Sequence, residues 1–99
     1  MIDFNDKEKA KKILAEKAEL LKTIAHPVRL CILARLIKEE KSNVTDMQGC
    51  LDVPQPTVSQ HLAKLKSAGI LSAERNGTEI IYKIKDKEVK NLIMHILED

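Results

Sequence analysis

Gln55-Pro56-Thr57-Val58-Ser59-Gln60-His61-Leu62-Ala63-Lys64-Leu65-Lys66-Ser67-Ala68-Gly69-Ile70-Leu71 contains a change of period. Val58, Leu62 and Leu65 recur at four- and three-residue spacing, which predicts a helix from about Gln55 to Ala68. Gly69 ends it, because glycine adopts the left-handed backbone of a helix C-terminus without a Cβ clash. Ile70-Leu71 then opens an extended run. Asn76-Gly77 is a two-residue hairpin turn signal, and Ile80, Tyr82 and Ile84 alternate on one strand face. At 100° per residue, with the apolar stripe turned inward, the helix presents Pro56, Thr57, Gln60, Ala63, Lys64 and Ser67 outward. That face is small, polar and free of acids. It suits a helix entering a DNA major groove, where Gln pairs an adenine edge, Thr touches a thymine methyl and Lys meets phosphate or guanine.

Upstream, Thr45-Asp46-Met47-Gln48 reads as a capping box that opens a short helix through Met47, Cys50 and Leu51. Two short helices joined by Asp52-Val53-Pro54 and followed by a hairpin make the layout of a winged helix-turn-helix. From Lys7 to Thr23 and on to Ile24, the residues Ala10, Ile13, Leu14, Ala18, Leu21 and Ile24 mark an amphipathic first helix. His26-Pro27 separates it from a second, about Pro27 to Glu40, with His26 expected to cap it and Pro27 at its first turn. That helix is apolar almost all round, so it is the central one. Lys41-Ser42-Asn43 reads as a polar break. Val89, Leu92, Ile93, Ile96 and Leu97 define a last amphipathic helix. The expected fold is mainly α with a β-hairpin wing, in the order α-α-α-α-β-β-α, as one domain over residues 1–99. Residues 45–68 form the helix-turn-helix, 70–85 the wing, and 1–24 and 86–98 the dimerisation helices.

The chain has 99 residues, 43% apolar and 32% charged, the profile of one globular domain. Its aromatic share is 2%, from Phe4 and Tyr82, which excludes the rows of exposed rings that bind single-stranded nucleic acid. Net charge is +2, too small to argue for DNA by itself, although residues 55–90 hold seven basic against four acidic side chains. No apolar run approaches the ~18 residues of a membrane span, and the N-terminus is no signal peptide. A cytoplasmic location without membrane association is expected. In that reducing compartment Cys31 and Cys50 are expected as free thiols rather than a structural disulfide. No phosphate loop or catalytic triad arrangement is present, so an enzyme is not expected.

Three segments carry a resemblance to a known family. Ala25-His26-Pro27-Val28-Arg29-Leu30-Cys31-Ile32-Leu33 resembles a signature of the ArsR/SmtB repressors. The stretch from Gln55 to Leu65 resembles their recognition helix, and Ala68-Gly69-Ile70-Leu71 with Asn76-Gly77 and Ile81-Tyr82 their wing. The likeness covers about residues 20–97 and is stronger still to the small, metal-independent PagR type. It implies a homodimer joined through the first and last helices that represses transcription from double-stranded DNA, usually under control of an inducer. The terminal apolar stripes independently call for a second copy, since a 99-residue monomer would leave Ile93, Ile96 and Leu97 in water. Two-fold symmetry then implies a pseudo-palindromic operator. Gln55, Thr57, Ser59, Gln60, His61 and Lys64 are the candidate major-groove residues, with Arg75 on the wing. The resemblance places His61 at the flank of the DNA face, within reach of phosphate.

The family's inducer sites have no full counterpart here, so no cofactor or metal is expected and the inducer is unknown. Where thiol ligands precede the third helix in the arsenic-sensing type, this chain has Asn43-Val44-Thr45-Asp46-Met47. At the zinc-type positions it has Asp86, Glu88 and Asp99, carboxylates that by themselves suit hard cations. Cys31 lies about one turn before the second-helix cysteine of the persulfide-sensing type, and the last helix has none. Cys31 and Cys50 remain a candidate redox pair if the second and third helices bring them together, with packing as the competing explanation. Two departures bear on DNA: Pro54 stands where an N-cap serine is common, and Thr78-Glu79 follows the wing glycine where a base is common. A winged-helix protein-interaction module that does not bind DNA is the rival reading, which the acid-free helix face opposes.

Overall fold

The computed structural model describes residues 1–47 and 52–98. Among them the order is α1 (Lys7–Ile24), α2 (Pro27–Glu39), β1 (Ser42–Asn43), α3 (Val44–Met47), α4 (Gln55–Ser67), β2 (Leu71–Asn76), β3 (Glu79–Ile84) and α5 (Lys87–Leu97). The expected helices and wing are present, with one addition: the polar break at residues 41–43 contains a strand. β1 pairs antiparallel with β3, Ser42 opposite Tyr82 and Asn43 opposite Ile81, giving a three-stranded sheet in the order β1-β3-β2. Two residues show no alternation from which a strand could be read, and the pairing comes from the partner's exposed edge.

The helix-turn-helix is fastened by local hydrogen bonds. The capping residue of α3 is Asn43 rather than Thr45: its Oδ1 accepts from the Asp46 N–H at 2.8 Å, and the helix starts at Val44. An asparagine can serve both as the last strand residue and as a cap, which a reading of Thr45 with Gln48 overlooks. Gln48, Cys50 and Leu51, expected to continue this helix, lie outside the described residues. Arg35 ties α2 to α3, donating to the Asp46 carbonyl at 2.9 Å while its Nε meets Glu39. At the far end of α4, Ile70 N–H donates to the Leu65 carbonyl and Gly69 N–H to that of Lys66, both at 3.0 Å. With φ of +78° at Gly69, this is a Schellman ending, and it turns Ile70 back onto Leu65 inside the core.

The hairpin register differs by one residue from the expected turn. Asn76 pairs with Glu79, so the two loop residues are Gly77 and Thr78 instead of Asn76 and Gly77. Gly77 has φ of +68° and Thr78 stays in the ordinary region, the pattern of a loop with glycine first. At the end of α2, Glu40 has φ of +66° and ψ of −43°, and Lys41 N–H donates to the Glu39 carbonyl at 2.8 Å. This is a γ-turn of the strained kind, forced on a residue with a Cβ. Glu40→Gly is therefore expected to raise stability by about 1 kcal/mol, relief of strain exceeding the glycine entropy cost, as read by urea denaturation.

Ile32, Leu33, Leu36, Met47, Val58, Leu62, Leu65, Ile70, Val89 and Ile93 are fully buried or nearly so, and they join α2, α3, α4, the wing base and α5 in one core. Lys17 forms an ion pair with Glu88 and links α1 to α5 at the surface. The chain is elongated, 50 × 31 × 21 Å with a radius of gyration of 15.1 Å, against about 13 Å for a compact 100-residue domain. Along α1 only Ala10 and Ile24 are buried. Leu14, Leu21, Met94, Ile96 and Leu97 are all exposed.

Candidate nucleic-acid interface

The outward face of α4 is as the helical periodicity predicts. Gln55, Ser59, Gln60 and Lys64 are exposed, Thr57 is half-buried, and Val58, Leu62 and Leu65 are fully buried. Pro54 caps the helix without a side-chain hydrogen bond, and the Thr57 and Val58 amides donate to its carbonyl. Proline at position 56 removes one N–H that would otherwise need a partner, which moderates the loss of a serine cap.

The tertiary structure extends this face on both sides. Between α4 and the wing lies a cleft of about 260 Å³, lined by Thr45, Gln55, Ser59, Glu79 and Tyr82 among others. Hydroxyls and amides suit a nucleic-acid backbone, and Glu79 places one acid at the edge. On the wing, Arg75 is exposed and shares a concavity of about 640 Å³ with Lys41, Glu74 and Lys83. Lys41 was not foreseen. It precedes β1, and the β1–β3 pairing carries it to the wing, so only a predicted third strand could have found it.

His61 has the most structured surroundings of the candidates. Arg29 Nε donates to its Nδ1 at 3.1 Å, and the His26 ring lies 4.4 Å away, centroid to centroid, tilted by 43°. His26 caps α2 as expected, accepting from the Val28 N–H at 3.1 Å. Partial burial, then the neighbouring His26, Arg29 and Lys64, hold the His61 imidazole below its ordinary pKa of 6.5. Because the folded value lies below the unfolded one, the resulting stability is present above pH 6.5 and is lost as pH falls through the folded value. Urea denaturation at pH 7.5 and at pH 5 is expected to show a smaller acid-induced loss in His61→Gln than in the parent chain.

Asp86, at a zinc-type position, caps α5 and accepts from the Glu88 and Val89 amides, while Glu88 pairs with Lys17. Both carboxylates thus have structural employment, and Asp99 lies outside the described residues. Cys31, half-buried on α2, is disulfide-bonded, unlike the free thiol expected of a reducing compartment. Cys50 lies outside the described residues. No helix among them is long and apolar enough to cross a membrane.

Among the described residues, a short helical segment at Val44–Met47, an exposed polar helix at Gln55–Ser67 and an adjoining hairpin are those of a winged helix-turn-helix protein. A helix-turn-helix domain family matches residues 24–72. Over 80 residues the chain is 46% identical to the transcriptional repressor PagR of Bacillus anthracis, covering 81% of this chain and 80% of that one. The crystal structure of PagR superposes with a TM-score of 0.77 at 43% identity, covering 87% and 98%. The repressor SmtB of Mycobacterium tuberculosis is 39% identical over 84 residues, and the match spans 85% of this chain but 62% of that protein's length. Reduced HlyU from Vibrio cholerae superposes with a TM-score of 0.81 at 30% identity, covering 91% and 96%. The chain belongs to the ArsR/SmtB family of helix-turn-helix transcriptional regulators, a family of DNA-binding proteins rather than enzymes.

Proposed function

We propose that this protein is a homodimeric repressor that binds a pseudo-palindromic operator. The observation that carries the reading is the exposed, acid-free face of α4 beside the wing. Gln55, Thr57, Ser59, Gln60 and Lys64 work in the major groove, and Arg75 holds backbone phosphate; His61 borders this face with its Nδ1 already taken. The exposed leucines of α1 and the exposed Ile96 and Leu97 of α5 support dimerisation through residues 1–24 and 86–98. The elongated shape supports it too, since the exposed stripe of α1 would gain packing from a partner. Fluorescence anisotropy with duplex DNA from upstream of the protein's own coding sequence tests the reading. Tight binding whose log affinity falls linearly with log salt is the expected result. Absence of binding, or binding indifferent to salt, would overturn it in favour of a protein-interaction module.

The disulfide at Cys31 favours a second reading, in which DNA binding responds to oxidation. Cys31 and Cys50 would each lose one proton and one electron to a peroxide, giving a disulfide and two waters, and a cellular dithiol would reverse the step. Binding that is lost on mild peroxide treatment and regained with reductant supports this reading. Identical titrations in both states reject it.

A further inference from the structure

The guanidinium of Arg29 joins three segments. Its Nη1 donates to the Thr23 carbonyl at 2.8 Å and its Nε to His61 Nδ1 at 3.1 Å. The first contact has a cause in the sequence. In an unbroken helix the Thr23 carbonyl would accept from residue 27, but Pro27 has no N–H, and Arg29 supplies the missing donor. The second reaches from α2 to the recognition helix α4, one residue beyond Gln60 and three before Lys64. His26, which separates α1 from α2, closes the cluster, its ring against that of His61.

We propose that Arg29 is a positioning residue for DNA recognition, acting through His61 to hold α4 at the rotation that seats Gln60 and Lys64 in the groove. The proposal rests on the repressor reading and specifies what orients its reading helix. Arg29 can donate only while His61 Nδ1 is unprotonated, because a protonated imidazole is a donor at both nitrogens. The groups bearing on His61 are Arg29 from α2, His26 from the α1–α2 junction and Lys64 from α4 itself, and each opposes a further positive charge. Acid therefore releases the tether. A His61 that instead met phosphate directly would gain charge in acid and bind DNA more tightly. The two roles predict opposite signs.

Operator affinity is measured by anisotropy from pH 8 to pH 5.5 for the parent chain, Arg29→Met and His61→Gln, with the salt dependence taken at pH 7.5. The parent chain is expected to weaken about tenfold on acidification, the size of one charge-assisted hydrogen bond. His61→Gln, whose amide oxygen accepts from Arg29 at every pH, is expected to flatten that profile. The two proteins differ at this one side chain, so the difference between profiles belongs to His61. Arg29→Met is expected to bind about tenfold more weakly at pH 7.5 with an unchanged salt slope, whereas a lost phosphate contact would lower the slope by about one. Independently of DNA, the His61 imidazole followed by NMR in the free protein is expected to titrate at higher pH in Arg29→Met. Tighter binding in acid, a His61→Gln profile parallel to the parent's, or an unmoved His61 titration would overturn the proposal while DNA binding itself stands. A parent chain that binds no duplex at any pH would overturn the repressor reading and the positioning role with it. Should Arg29→Met not fold, the His61→Gln profile decides by itself.

Discussion

Leu21→Glu is expected to leave a folded monomer that binds its two-site operator at least about a hundredfold more weakly than the parent chain. Leu21 is 53% exposed in the single chain and lies on the same stripe of α1 as Leu14, seven residues away. A glutamate there costs the isolated chain little, because it replaces an apolar side chain that already meets water. In a dimer joined through α1 and α5 the same carboxylate would be buried without a partner, at a cost of several kcal/mol per copy. Losing the second copy removes the effective concentration that makes the second half-site contact intramolecular, which is worth about two to four orders of magnitude. Sedimentation equilibrium and circular dichroism separate the two effects: helical content is retained while the mass halves. Ile96→Glu on α5 is expected to behave alike. A dimer of unchanged strength in both variants would move the interface elsewhere.

Gln60→Ala and Lys64→Ala, one turn apart on the exposed face of α4, are expected to fail in different ways. A glutamine amide can make two hydrogen bonds to an adenine edge, so Gln60→Ala is expected to cost roughly 1–3 kcal/mol on the operator. The loss should be concentrated at one base pair, with affinity for unrelated duplexes barely altered. Lys64 offers a compact charge, and its removal is expected to weaken operator and unrelated DNA alike while lowering the salt slope by about one. Anisotropy on the operator, a single-base variant of it and a scrambled duplex at three salt concentrations distinguishes these patterns. Equal losses on all three duplexes for both variants would show that α4 reads no base at residue 60.

Repeating, local signals were the legible ones. The stripe of Val58, Leu62 and Leu65, the glycine at position 69 and the alternation in the second wing strand identified the helix, its end and the hairpin, because each reports backbone geometry within a few residues. The same periodicity located the exposed face of α4, and the chain segments resembling the ArsR/SmtB repressors pointed to the family. Where two neighbouring residues could serve one local role, the reading slipped by one or two positions. Asn43 caps α3 where Thr45 had been expected, and Gly77-Thr78 forms the loop where Asn76-Gly77 had been expected.

The sequence alone thus determined a winged helix-turn-helix whose fourth helix carries a polar exposed face, since amphipathic period and turn chemistry are written in consecutive residues. Tertiary structure decided whatever depends on partners distant along the chain. It made a strand of Ser42-Asn43 by offering them the edge of β3, and it brought Lys41 to the wing with them. It also tied His61 to Arg29, 32 residues away, through the same guanidinium that serves the Thr23 carbonyl left without a donor by Pro27. Hydrogen-bond partners of this kind are set by how helices cross, and crossing geometry follows from the packing of the whole core.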